Sequence, residues 1–88
     1  MKFSDAMLEG YKQVNGRQCR GVSNRIRGGK IVAHCAVGAA VAGGMSYGKA
    51  AFANIWLADH WGDTAVAFND RDKLPWEHIY GMARAVGL

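Results

Sequence analysis

By residue type, the thiol of Cys35 is the group in this sequence best suited to covalent chemistry. It opens a run of small, helix-compatible residues, and the free N–H groups at a helix start lower a thiol pKa. His34, His60 or His78 could serve as its base, with Asn69 or Asp70 orienting that base in a Cys–His–Asn/Asp arrangement. The competing reading makes Cys35 a small buried hydrophobe. Its neighbours Ala36, Gly38 and Ala39 describe a close-packed face, where free cysteine usually sits. That reading is preferred, and no catalytic residue is assigned.

A metal ion would have to draw on Cys19, His34, Cys35, His60 and His78. Zinc sites usually take paired ligands from one turn, which lowers the cost of assembling the site. There is no Cys-x-x-Cys or His-x-x-x-His here, and adjacent His34 and Cys35 would point to different helix faces. Neither a metal nor a cofactor is assigned. Gly28-Gly29-Lys30 has a phosphate-loop look, but the Walker spacing is absent and no Ser or Thr follows the lysine.

Charge is the stronger signal. The chain carries a formal +4, unevenly distributed: residues 1–30 hold seven Lys/Arg against Asp5 and Glu9, and residues 31–88 hold four against five acids. Arg17, Arg20, Arg25, Arg27 and Lys30 lie in a stretch with no acid, and Asn24 adds hydrogen-bonding capacity. Such asymmetry suits an anionic partner or surface. A nucleic acid would meet these residues through its phosphates with strong salt dependence, but the stretch has no aromatic residue to stack on bases. No basic recognition helix follows, since the last helical segment carries only Arg84. Trp61, beside Gly62 at a helix end, is the tryptophan expected at the surface, and exposed aromatics with arginines characterise protein interfaces.

The elements that must position these residues follow from spacing. Eighty-eight residues, half of them hydrophobic, fit one domain spanning 1–88 with a modest core. A first helix is expected over Asp5–Asn15, with Ser4 as cap, Phe3 and Leu8 at staple positions, and Met7, Leu8, Tyr11 and Val14 facing the core. Asn15-Gly16 ends it. Arg25-Ile26-Arg27, Gly28-Gly29, Lys30-Ile31-Val32 reads as a hairpin near residues 24–33, with Ile26 opposite Ile31 and Arg27 opposite Lys30. That register places like charges across from one another, so the tip needs water or an anion.

A small-residue helix is expected over His34–Ala42, central in the bundle, ending at Gly43-Gly44. Ser46 caps the next, with Ala51, Phe52, Ile55 and Trp56 as its core face up to about Asp59. Gly62 breaks the chain, Asp63 starts a short helix through Phe68, and Asn69–Asp72 form a polar turn. Pro75 opens the last helix, whose stripe is Trp76, Ile79, Tyr80, Ala83 and Val86. The expected class is mostly α: a compact bundle of four to five short helices with one small β-hairpin.

The Cys35-Ala36-Val37-Gly38-Ala39 helix, followed by Asn69-Asp70, a polar loop and a final helix with Glu77 near its start, resembles a group of small uncharacterised bacterial and phage proteins. Those share a Cys-Ala-x-Gly-Ala helix and an Asn-Asp turn before the last helix. The likeness spans residues 33–86 and departs at Leu74, where that group commonly has a Thr or Ser cap. It implies a fold and a phage or prophage context, and no catalytic residues.

Two cysteines, the lack of a leader-like start and the short, interrupted apolar run Ile31–Met45 point to a cytoplasmic chain with reduced thiols and no membrane role. The expected function is non-enzymatic docking on a host or viral protein through Arg17, Arg20, Arg25, Arg27, Lys30 and Trp61. The alternative is a nucleic-acid binder using Arg17–Lys30, and a Cys35-dependent enzyme stands third. A homodimer is compatible with the size, although no sustained heptad supports one.

Overall fold

Small residues set the architecture. In the computed structural model, which describes residues 1–88, a helix α1 (Phe3–Lys12) crosses a helix α2 (Ala36–Ala42) almost backbone to backbone. A Cβ built on Gly10 would lie 1.8 Å from the Ala39 carbonyl oxygen, and one on Gly43 would lie 1.9 Å from that of Ala6. Between them α1 and α2 carry a hairpin, β1 (Asn24–Arg27) and β2 (Lys30–His34); after α2 come α3 (Tyr47–Trp61), α4 (Ala65–Asp70) and α5 (Trp76–Ala85). The mostly helical class with one hairpin is as expected, and α2 packs against α1, α3 and α4. No helix is long and apolar enough to cross a membrane.

The core unites Phe3, Met7, Tyr11 and Val14 with the alanines of α2, Leu57 of α3 and Ile79 and Ala83 of α5. Its apolar surface removed from water supplies the main stabilisation. Trp76 stacks on Tyr11, with ring centroids 4.4 Å apart, and joins α5 to α1.

Several boundaries and faces differ from the sequence expectation. Helix α1 starts at Phe3, not Asp5, because burying the Phe3 ring draws the first turn into the core. Ser4 is therefore not the cap: it is fully buried inside the first turn, its Oγ has no partner, and its N–H donates to the Leu88 carbonyl at 2.9 Å. Leu8 is only half-buried, and Asn15 and Gly16 lie beyond the helix in the left-handed conformations expected of them, φ 54° and 75°.

Helix α2 starts after Cys35 because the His34 backbone is committed elsewhere, its N–H to the Arg17 carbonyl and its carbonyl to the Cys19 N–H. In α3, Ser46 caps as expected, but the buried face is Ala50, Ala53 and Leu57. Phe52, Ile55 and Trp56 are exposed, since the narrow alanine surface of α2 selects small side chains for close approach. Thr64, not Asp63, caps α4. That helix runs on to Asp70, which places Asn69 and Asp70 in its last turn and not in a polar turn. Pro75 occupies the cap position of α5, one residue before the helix. Ile79 and Ala83 of the α5 stripe are fully buried, and Met82 joins them, while Trp76, Tyr80 and Val86 are half-buried.

Candidate binding surface

The hairpin has the expected register: Arg27 opposite Lys30 and Ile26 opposite Ile31. Gly28 and Gly29, at φ 59° and 76°, form the two-residue turn that suits the twist of the strands. A bulge at Val32 then pairs Arg25 with Ala33. A bulge inserts one unpaired residue and re-aims the side chains beyond it. Arg25 and Arg27 share a face by the alternation of β1, and the bulge sets small Ala33, in place of Val32, across from Arg25.

The Arg17–Cys19 segment adds to the other edge of β2. Gln18 bridges His34 in parallel, with Cys19 N–H to His34 O at 2.9 Å and His34 N–H to Arg17 O at 3.2 Å. Parallel register carries Arg17 beside Ala33. The result is an open groove of about 400 Å³, bordered by Arg17, Gln18, Arg25 and Arg27 and lined by Val32 and Ala33. All three arginines are exposed. None is ion-paired, since the carboxylate contacts of the chain are Lys12–Glu9, Arg71–Asp63, Arg71–Asp72 and Arg84–Asp5. Three planar guanidinium forks around one groove suit bidentate recognition of carboxylate or phosphate.

Of the remaining sequence-selected residues, Lys30 is exposed at the hairpin tip beside Arg27. Arg20 turns inward, where its guanidinium donates to the Asn69 carbonyl and, at 3.1 Å, to the Lys73 carbonyl. It closes the C-terminal end of α4 and belongs to the scaffold. Trp61 is 45% exposed, with Nε1 donating to the Met82 carbonyl at 3.0 Å. It borders a shallow hollow with Glu77 and His78 that shares no residue with the arginine groove.

What holds the groove in place is a polar network not visible in the sequence. Gln18 Nε2 donates to Asn69 Oδ1 at 2.6 Å and to the Leu74 carbonyl at 2.9 Å, while Gln18 Oε1 accepts from the Trp76 N–H at 2.8 Å. Pro75 cannot cap α5, so Gln18 does so from fifty-eight residues away. Buried Asn69 donates to the Cys19 carbonyl at 2.9 Å. No local pattern signals such a bond, because its partners meet only after folding.

Cys35 caps α2, its Sγ accepting from the Gly38 N–H at 3.4 Å, and lines a cleft of about 230 Å³ with Ser23, Asn54 and Asp70. Burial pushes the Cys35 thiol up, and the Gly38 and Val37 N–H groups only partly oppose this. Cys19 is also raised, first by burial and then by Cys35. His34 faces Asn24, Nδ1 to Oδ1 2.6 Å, and burial lowers its pKa. His60 contacts the Trp56 carbonyl and His78 is exposed on α5. No imidazole bonds to Cys35, and no three His, Cys, Asp or Glu side chains are gathered to hold a metal ion. Comparison of the chain with protein-family models, curated proteins and solved structures finds no match.

Proposed function

We propose that the chain is a non-enzymatic binding module that docks an acidic protein surface through the basic face of its hairpin. The observation that carries this reading is the convergence of Arg17, Arg25 and Arg27 on one groove, free of carboxylates, with Lys30 at the tip. Ile26 and Ile31, 67% and 48% exposed, form an apolar pair on the opposite face of the hairpin, and β1 pairs only with β2, which leaves its outer edge open. Exposed arginines beside a free strand edge favour a protein partner that can add a strand there. On the phage-like resemblance, that partner is a host or viral protein.

A second reading, phosphate-backbone binding to nucleic acid, draws on the same guanidiniums. No aromatic side chain lines the groove, so this reading rests on charge alone. Titrating an acidic peptide and a duplex oligonucleotide into labelled protein, at two salt concentrations, separates the two. The docking reading expects saturable peptide binding that shifts the amides of residues 17–33 and is lost in Arg25→Glu/Arg27→Glu. Duplex binding without peptide binding selects the second reading, and binding of neither refutes both.

A further inference from the structure

The outer face of α3 is a second surface, and its pattern is self-complementary. Phe52, Ile55, Trp56 and Asp59 recur at helical spacing opposite buried Ala50, Ala53 and Leu57. Phe52, Ile55 and Trp56 are 60%, 62% and 43% exposed, and the Phe52 and Trp56 rings rest on each other with centroids 5.0 Å apart. Single exposed apolar residues are ordinary, but a contiguous patch of large ones marks an interaction surface.

Charge identifies the occupant. Lys49 and Asp59 bound the patch, both exposed, and neither takes part in an ion pair. Each also stands at the wrong end of its helix: a cation in the first turn and an anion in the last oppose the helix dipole. Lys49, Phe52, Trp56 and Asp59 are spaced three, four and three residues apart, a series that reads the same in both directions about Asn54.

We propose that α3 pairs antiparallel with α3 of a second copy about a two-fold axis opposite Asn54. That operation sets Lys49 against Asp59 of the partner subunit and Phe52 against Trp56 of the partner subunit. It also brings each misplaced charge to the helix end that favours it. A two-fold interface must be self-complementary in this way, whereas a foreign partner imposes no such symmetry. The charged ends of the seam disfavour a lipid surface. The face shares no residue with the arginine groove, so dimerisation leaves that groove free. One face of a single fifteen-residue helix offers an area at the small end of specific interfaces, so the dimer is weak and concentration-dependent.

Sedimentation equilibrium between about 10 µM and about 1 mM tests this. The expected result is a monomer–dimer equilibrium within that range. Lys49→Asp or Asp59→Lys alone should weaken association at least about tenfold, because the two-fold repeats each like-charge contact. The double swap Lys49→Asp/Asp59→Lys should restore association to within about threefold of the original. A monomer at every concentration, a double swap no better than either single, or unchanged association in Phe52→Ser/Trp56→Ser would overturn the proposal. Circular dichroism of each variant confirms that it is folded, and none of these positions belongs to the buried core.

Discussion

Replacing Gly10 by alanine adds one methyl group and should cost more stability than most single changes in this chain. The new Cβ would sit 1.8 Å from the Ala39 carbonyl oxygen, 2.5 Å from its carbon and 2.7 Å from its Cα, all backbone atoms with no rotamer to escape through. Ordinary contact begins near 3.4 Å, so α1 and α2 would have to part by about 1.6 Å where they cross. Opening that contact loosens Ala6, Met7, Tyr11, Ala39 and Ala40 together. Overpacking typically costs about 1–3 kcal/mol, and backbone facing backbone places Gly10 at or above the top of that range. The better helix propensity of alanine returns about 1 kcal/mol, leaving a net loss of about 2–3 kcal/mol. For a domain of this size that lowers Tm by about 10–20 °C.

Gly81→Ala is the matched control. It lies inside α5, is exposed, and its Cβ would meet nothing within 4 Å, so it should gain about 0.5–1 kcal/mol. Urea denaturation followed by tryptophan fluorescence reads both, with Trp76 stacked on Tyr11 as the probe. The two variants should move the midpoint in opposite directions. A Gly10→Ala protein as stable as the parent would refute the close crossing of α1 and α2.

Stability should also hold a plateau from roughly pH 7 to roughly pH 8.5 and fall on both sides. Burial lowers the His34 pKa below its ordinary 6.5, so the unfolded chain takes up the proton first and stability is lost as pH falls below that value. Burial raises Cys19 and Cys35 above 9.0 and Tyr11 above 10.0, so stability is lost as pH climbs through that range. Urea midpoints measured between pH 5 and pH 10 check both signs, and a midpoint that rises on acidification contradicts the buried neutral imidazole. Gln18→Ala should cost about 2–3 kcal/mol by leaving the Trp76 N–H and the buried Asn69 Oδ1 unpaired. Amide exchange at Trp76 should accelerate selectively, and uniform acceleration would argue against a local cap.

The features legible in the sequence are those set by local chemistry. Gly28-Gly29 between β-branched and basic flanks demands a turn with two positive φ angles, and both residues adopt them. Ser46, Gly62 and Asn15-Gly16 punctuate helices for the same kind of local reason. The α3 face was not legible, because apolar residues lie on both sides of that helix. Only the narrow surface of α2 decides that Ala50 and Ala53 go inside and Phe52 and Ile55 stay out. Arg20 and Arg25 are identical in type and close in sequence, yet one closes α4 and the other borders the groove. That division depends on where residues 69–74 pass after folding. Gln18 illustrates the same limit, since it caps a helix that begins far along the chain.

The most direct measurement is capture from nuclease-treated bacterial lysate by the immobilised chain and by its Arg25→Glu/Arg27→Glu variant, with circular dichroism confirming that both are folded. The docking account predicts a defined acidic protein retained by the parent and released by the charge reversal, with Lys12→Glu, on α1, leaving capture unchanged. Equal capture by parent and reversed chains, or no protein retained by the parent from the nuclease-treated lysate, would contradict it.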